Sequence, residues 1–299
     1  MKQKNKSPNT FKEAHSFKSS SASKSSNSFK NKSSFKSSSA PKNPDSLLNN
    51  QVFVYGKHPV FSALLNDKRK IYQLLIAKNN EADLNIFLKE KKVNLKSELI
   101  KIVEKDYFYD LFPSGATHQG FALKTSPIEL ISSNQFLDQT KKIDKENRPP
   151  ILILDNLTDP QNIGAIIRSS AAFGFLNVAV LSRNFPIQSP IIAKASSGVL
   201  EVVNLIDVAN LNNFLGELKK LDYWSIGLAG EAKLNIAKAK DYFPKALVVG
   251  SEGDGIRKLV KENCDLLVKI PMNGEVESLN ASNAAAIAMY ELNSTFTAK

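Results

Sequence analysis

A chain of 299 residues that is 42% hydrophobic can bury a substantial core in roughly one to two domains. It has no stretch approaching the ~20 apolar residues that span a bilayer and no signal-peptide core, so a soluble protein is expected. Cys264 is the only cysteine and His15, His58 and His118 lie far apart in sequence. This argues against a disulfide framework and against a metal site, and fits a reducing, cytoplasmic setting.

The formal charge of +11 is uneven, because residues 1–46 hold ten Lys, no Arg and only Glu13 and Asp45 as acids, which gives +8 there and leaves +3 for the rest. The same segment contains fifteen Ser, almost no aliphatic residue, and SFKSS twice, at 16–20 and 34–38. Such a tail cannot bury enough apolar surface to offset the entropy of ordering, and it reads as disordered. Phe11, Phe17, Phe29 and Phe35 each precede a Lys, which would let a ring stack on a base while the ammonium meets a phosphate. A plain solubilising tail is the alternative, and the lack of Arg and of an amphipathic period argues against a transit peptide.

Residues 51–125 form the first structured block. VFVYGKHPVFSALLNDKRKIYQLLIA predicts strand, turn, short helix and strand, and EADLNIFLKEKKV predicts a helix with Leu84, Phe87 and Leu88 at spacings of three and four. LFPSGATHQGFALKT closes this small α/β domain with a Gly-containing turn and a short strand. Residues 126–148 mix a weak helical pattern with charged and polar residues and end at Pro149 and Pro150. They read as a connector with a helix in it.

From residue 151 the pattern becomes regular, within a second domain at 149–299. ILILD suits a strand buried on both faces, and IGAIIRSSAAFG a helix stopped by Gly174. NVAVL reads as a strand, SPIIAKASSG as a helix capped by Ser189 with Pro190 at its first position, and VLEVV as a strand. DVANLNNFLGELKKL reads as a helix capped by Asp207, and WSIGLA, ALVVG and LLVKI supply further strands. Strands alternating with helices imply an α/β fold with a parallel sheet covered on both faces. Such sheets bind ligands at the carboxyl ends of their strands.

Three loops at such ends carry chemistry. In DNLTDPQNIGAIIRSSAAFGF (155–175), Asp159 and Pro160 break the chain, Asn162 falls where a cap belongs, and Arg168 has Gly164, Ala165, Ala171 and Ala172 around it. That ring of small residues leaves room for another chain or a ligand, though a solvated Arg would look the same. In VVGSEGDGIRK (248–258), Gly250, Gly253 and Gly255 allow close backbone approach, with Glu252 the only acid ahead of Asp254. This is neither a phosphate-cradling P-loop nor a dinucleotide fingerprint, and alone it would be an ordinary turn. In IPMNGEVESLNASNAAAIAMYEL (270–292), Ser278, Asn280 and Ser282 compete to satisfy the amides of one Ala-rich helix. One cap would suffice, so the surplus suggests a polar ligand, while a well-capped core helix is the plainer reading.

Taken in this order, each after a strand, the three loops resemble the signature motifs of the SpoU (TrmH) family of RNA ribose 2′-O-methyltransferases, over about residues 150–293. The block with VYGKHPV and HQGFAL resembles the small substrate-binding domain of the subgroup that methylates a guanosine of 23S, large-subunit, ribosomal RNA. The resemblance implies an α/β fold whose C-terminal segment threads a trefoil knot, a homodimer, and S-adenosylmethionine as cofactor. Sequence rules alone would argue against a knot, since knots are very rare. Gly250, Ile270 and Leu279 match cofactor-contacting positions, and Asn162, Arg168, Glu252, Ser278 and Asn280 match catalytic and RNA-binding ones. Ala281 departs from the usual Val, which implies a slightly altered pocket with its chemistry intact.

These residue types suit in-line methyl transfer, which needs the ribose oxygen held about 3–3.5 Å from the methyl and no metal or covalent nucleophile. A guanidinium with a pKa above ~12 is a poor base. Arg168 is therefore expected to hold the neighbouring phosphate and stabilise the oxyanion, with Ser278 or a water relaying the proton. Asn162 and Asn280 would orient the nucleotide, and Glu252 would fix a loop or Arg168. The alternatives are a transfer-RNA ribose methyltransferase, a catalytically silent RNA-binding protein of the same fold, and, more remotely, a nicotinamide dehydrogenase, which should carry the dinucleotide fingerprint.

Overall fold

The computed structural model describes residues 50–274 and 278–293; the Lys- and Ser-rich tail expected over 1–46 lies outside the described residues. Among the described residues, no helix is long and apolar enough to cross a membrane.

The first sheet has four strands, β1 (Val52–Tyr55), β2 (Ile71–Ala77), β3 (Ile100–Val103) and β4 (Phe121–Thr125), in the order β1-β4-β2-β3. Strand β4 runs antiparallel to both β1 and β2, and β2 pairs with β3 in parallel. Period-two alternation sorts β2 onto two cores. Leu74 and Ile76 pack with Val60 and Ala63 of α1 (Lys57–Leu65) and with Leu84 and Phe87 of α2 (Glu81–Lys91), while Leu75 and Ala77 face Phe108 of α3 (Tyr107–Leu111) and Phe112.

The two motifs singled out in this block meet in space. The Gly56 amide donates to the Phe121 carbonyl at 3.0 Å and the Lys57 amide to Gln119 Oε1 at 3.1 Å. Gly120, at φ +74°, closes the HQG turn where a side chain would run into Asn80 and Ala77. His118 is buried and stacked on Phe108 at 4.6 Å, and its Nδ1 accepts from the Gly120 amide at 3.1 Å. Burial, then the charges of Lys105 and Lys194, lowers its pKa from the ordinary histidine value, so this residue is a neutral packing element.

The second sheet has eight strands with every pairing parallel. They are β5 (Ile131–Ser132), β6 (Ile151–Leu154), β7 (Asn177–Val180), β8 (Asn204–Asp207), β9 (Trp224–Leu228), β10 (Leu234–Asn235), β11 (Lys245–Val249) and β12 (Leu266–Lys269). Their order is β10-β12-β9-β11-β6-β7-β8-β5. Strands β6, β7 and β11 are buried along their whole length, as expected for a parallel sheet covered on both faces. Leu152, Leu154, Leu247 and Val249 face α5 (Pro160–Ala172), α6 (Pro190–Ala195) and α9 (Ala281–Leu292). Ile151, Ile153, Ala246 and Val248 face α4 (Ser133–Thr140), α7 (Leu211–Lys220) and α8 (Lys258–Glu262). The order reverses between β6 and β11, so the loops leaving these two strands lie side by side and diverge. That is the switch point at which open α/β sheets bind ligands.

Several local expectations are corrected. VLEVV is not a strand: Gly198 adopts φ +84°, Val199–Glu201 form a helical turn, and β8 starts only at Asn204. Leu200 of that turn is drawn into the core and Glu201 into an ion pair. Helix α5 is capped by Asp159 and not by Asn162, because Pro160 fits the first helical position and the Asp159 carboxylate accepts from the amides of Gln161 and Asn162. Helix α7 is capped by Asn210, since Asp207 still belongs to β8. The stretch 126–148 contains the expected helix, α4, and also the edge strand β5 paired with β8. Small residues let helices touch: a Cβ on Gly164 would collide with Ala195, so α5 and α6 are in contact at that point.

A buried ion pair joins the two sheets. Arg69, in the turn before β2, donates from Nε to Glu201 Oε2 at 3.0 Å and from Nη2 to Oε1 at 2.8 Å, and both side chains are only 3% exposed. Asn66 Nδ2 adds a bond to Oε2 at 2.8 Å, and Arg69 Nη1 bonds the Ser126 carbonyl. Gln188 holds the following segment by bonding both the amide and the carbonyl of Ile128. Removing one partner of such a pair strands a buried charge. Glu201→Ala is therefore expected to lower stability by about 3–5 kcal/mol, and the joint change Arg69→Met with Glu201→Leu by much less; urea unfolding of the three proteins checks the difference.

Candidate active site

The site begins with an acid at the end of a buried strand. Asp155 follows β6 and is 0% exposed. A carboxylate without water must find protein donors, and it takes the Arg257 amide at 2.8 Å and Arg257 Nε at 2.7 Å. This bond pins the far end of the loop leaving β11. Within that loop, Ser251 and Gly255 exchange backbone bonds of 3.1 and 3.0 Å, and a Cβ on Gly250 would overlap the backbone of Gly255 and Ile256. Gly250 is thus needed for the loop to close on itself, and Gly253 and Gly255 take φ of +91° and +66°. The closed loop carries Glu252 at its turn.

Two helix starts converge on Glu252. Asn162, in the first turn of α5, donates from Nδ2 to Glu252 Oε2 at 3.1 Å. Asn280 caps α9, its Oδ1 accepting from the Ser282 amide at 2.9 Å, the Ser282 hydroxyl at 2.6 Å and the Asn283 amide at 3.4 Å. Its Nδ2 donates to Asn162 Oδ1 at 3.0 Å and lies 3.5 Å from each Glu252 oxygen. Asn280 is therefore the working cap among the competing groups, and its amide nitrogen is left to reach across to a second helix. A carboxylate between two helix N-termini is favoured by both macrodipoles.

Beside this cluster is a cavity of about 390 Å³ whose lining includes Gly250, Glu252, Ile270, Ser278, Leu279 and Ala281. All three positions expected to touch a cofactor line it. Further walls come from Leu228, Met272, Glu231, Asp254 and Lys261. Lys261 bonds Glu231 and holds that carboxyl below the ordinary glutamate pKa. Among the described residues, the cavity thus presents three acids against one lysine that is already paired.

Arg168 lies elsewhere. It is exposed on α5, six residues past Asn162, and lines a second cavity of about 600 Å³ together with Lys194, Tyr55 and the 113–117 loop. The Gly164 side of its small-residue surround is filled by α6 of the same chain. Sequence reasoning missed Asp155 and Arg257; the available signal was an acid ending an apolar strand, which demands a buried partner. Among the described residues, no group of three or more His, Cys, Asp or Glu could hold a metal ion.

Residues 149–290 match the SpoU rRNA Methylase family, and residues 53–130 match the family described as RNA 2′-O ribose methyltransferase substrate binding. A Staphylococcus haemolyticus protein named as a TrmH family tRNA/rRNA methyltransferase is 36% identical over 244 residues, which is 81% of this chain and 94% of that one. A Staphylococcus aureus protein of the same name is 36% identical over 240 residues, 80% of this chain and 94% of its own. In structure, the SpoU methyltransferase AviRb of Streptomyces viridochromogenes, solved with AdoMet, superposes with a TM-score of 0.64 at 22% identity, covering 82% of this chain and 90% of that one. An rRNA methyltransferase of Sinorhizobium meliloti, solved with AdoMet, gives 0.63 at 16% identity over 83% and 89%. These define the class as an α/β RNA methyltransferase. Within that class, the chain belongs to the SpoU (TrmH) family.

Cys264 lies under the site, where burial and then the charges of Asp265 and Asp155 push its thiol up to about 12. A raised thiol pKa leaves almost no thiolate at neutral pH. Iodoacetamide at pH 8 is expected to leave the folded protein unlabelled and to label Cys264 fully in urea, as read by mass spectrometry.

Proposed function

We propose that this chain transfers a methyl group from S-adenosylmethionine to a ribose 2′-oxygen of RNA, with a guanosine of 23S ribosomal RNA as substrate. The observation that carries the proposal is the Asn162–Glu252–Asn280 cluster at the rim of an acid-lined cavity. The cavity fits the cofactor: apolar walls from Leu228, Ile270, Met272 and Leu279 suit an adenosine, and the surplus of carboxylates suits a positively charged sulfonium. Bound there, S-adenosylmethionine supplies an electrophilic methyl group. Gly250, Ile270 and Leu279 would hold it.

The chain's own groups then position and polarise the ribose. Glu252 fixes the amides of Asn162 and Asn280, which orient the nucleotide at the cavity mouth. Ser278, exposed at the same cavity, is within the lining and can relay the proton that leaves the 2′-hydroxyl. Arg168 contributes positive charge to the adjacent phosphate and to the developing oxyanion.

Because Arg168 lines the second cavity and not the first, its part in the reaction calls for a second copy of the chain. Exposed Ile287 and Tyr290, 41% and 60% accessible on α9 beside α5, support a homodimer through that face. The small domain at 51–125, joined through 126–148 to the catalytic domain at 149–299, favours ribosomal over transfer RNA. The insertion of the last strand, β12, between β9 and β10 is compatible with a threaded C-terminal segment. The setting is the cytoplasm.

Labelled methyl from S-adenosylmethionine is expected to enter ribosomal RNA at one alkali-resistant guanosine linkage. Label in transfer RNA instead would overturn the substrate, and no label in either would overturn the activity. Asn280→Ala is expected to lower kcat/KM about 100-fold while costing about 1 kcal/mol as a lost cap. Parallel loss of folding and activity would reduce Asn280 to a structural residue.

A further inference from the structure

The second cavity belongs to neither sheet alone. One wall is the 113–117 loop of the small domain, and the other is formed by α5 and α6, with Arg168 and Lys194 as its charged members. Among the described residues, no acidic residue lines it, in contrast to the acid-rich cavity beside Glu252. At about 600 Å³ it lies within the usual range of about 300–1,000 Å³ for ligand sites.

The walls are held in place. The Ala116 amide bonds the Pro113 carbonyl at 3.0 Å and the His118 amide bonds the Ala116 carbonyl at 3.1 Å. Phe112 packs on Tyr55 at 4.8 Å behind the loop. The buried Arg69–Glu201 pair fixes the small domain against the turn that follows α6. Tyr55 is 7% exposed and lines the cavity, which puts its phenol among the polar groups of the wall.

The remaining groups indicate what that ligand is. Ser114, Thr117, Gln161 and Ser197 add hydroxyl and amide groups to the two cations. Arg, Lys, Ser, Thr, Gln and Tyr are the side chains that bind the phosphates and sugars of a nucleic acid without reading its sequence. The cavity's apolar members, Pro113, Ala116, Ile191 and Ala195, carry no flat π-face on which a base would stack.

We propose that this cleft holds the sugar-phosphate backbone of the RNA strand flanking the methylated nucleotide, with Lys194 on a phosphate and the Tyr55 hydroxyl as a second backbone contact. This rests on the reading of the chain as an RNA methyltransferase. Arg168 is then the last cation along the strand before the reacting ribose at the second copy's cofactor cavity, and Lys194 is a positioning residue that sets where the strand enters.

Full-length wild type, Lys194→Gln, Lys194→Arg and Tyr55→Phe are compared for RNA binding across a salt series, for methyl-transfer kcat and KM, and for S-adenosylmethionine affinity. Lys194→Gln is expected to reduce the slope of log K against log salt by about 0.7, the value for one contact to a single strand. It should raise the KM for RNA about tenfold and leave kcat and cofactor affinity unchanged. Lys194→Arg should restore both slope and KM, and Tyr55→Phe should raise KM without changing the slope. An unchanged slope and KM in Lys194→Gln would overturn the cleft, as would a fall in kcat alone. Absence of methyl transfer by the wild type would overturn the functional reading, and the salt slope of binding would still decide for or against the cleft.

Discussion

A carboxylate stripped of all its water is tolerated only if protein donors replace that water, and Asp155 imposes this condition at the centre of the large sheet. Arg257 meets it with its backbone amide and its side chain. Because the two residues sit on the loops leaving β6 and β11, satisfying the acid also draws those loops together at the switch point. Glu252 is carried on the segment so anchored, and the two asparagines reach it from two other elements. The site is therefore assembled by one electrostatic requirement placed below it.

Charge is then partitioned between two cavities. The one beside Glu252 is acidic and partly apolar, while the one beside Lys194 carries positive charge and hydroxyls. A cationic cofactor and a polyanionic substrate have opposite needs, and a single basic cavity could not serve both. The Arg69–Glu201 pair matters to this division because one wall of the basic cleft comes from the small domain. A domain free to swing would leave that cleft without a defined width.

Much of the architecture was legible in the sequence because apolar runs such as ILIL and ALVV have few structural uses besides central parallel strands. The errors fell where a local preference competed with a tertiary one. Asn162 is a good cap by type, yet Pro160 two residues earlier sets the helix start and frees the Asn162 amide for Glu252. VLEVV has the β-branched composition of a strand, but Gly198 turns the chain and Glu201 is taken by Arg69. Strand β3 and helix α3 escaped notice because they span four and five residues with exposed positions such as Ile102 and Tyr109. The candidate site residues could be named one by one from the sequence. Their grouping was not, since it depends on strand order: Asn162 and Asn280 are 118 positions apart, and nothing in their spacing separates them from Arg168, which lies on the other cavity.

The contact between Gly164 and Ala195 gives the cleft a built-in gauge. Gly164 lies one helical turn before Arg168 on α5, and Ala195 adjoins Lys194 on α6, so the interval between the two cations is set by how closely these helices touch. A single methyl group at position 164 would wedge the helices apart and move both charges without altering either. The covalent repeat of a sugar-phosphate backbone is the same whatever the bases, and a fixed interval between two cations lets a protein select one spacing of its phosphates. Here that interval is calibrated by a side chain the sequence omits.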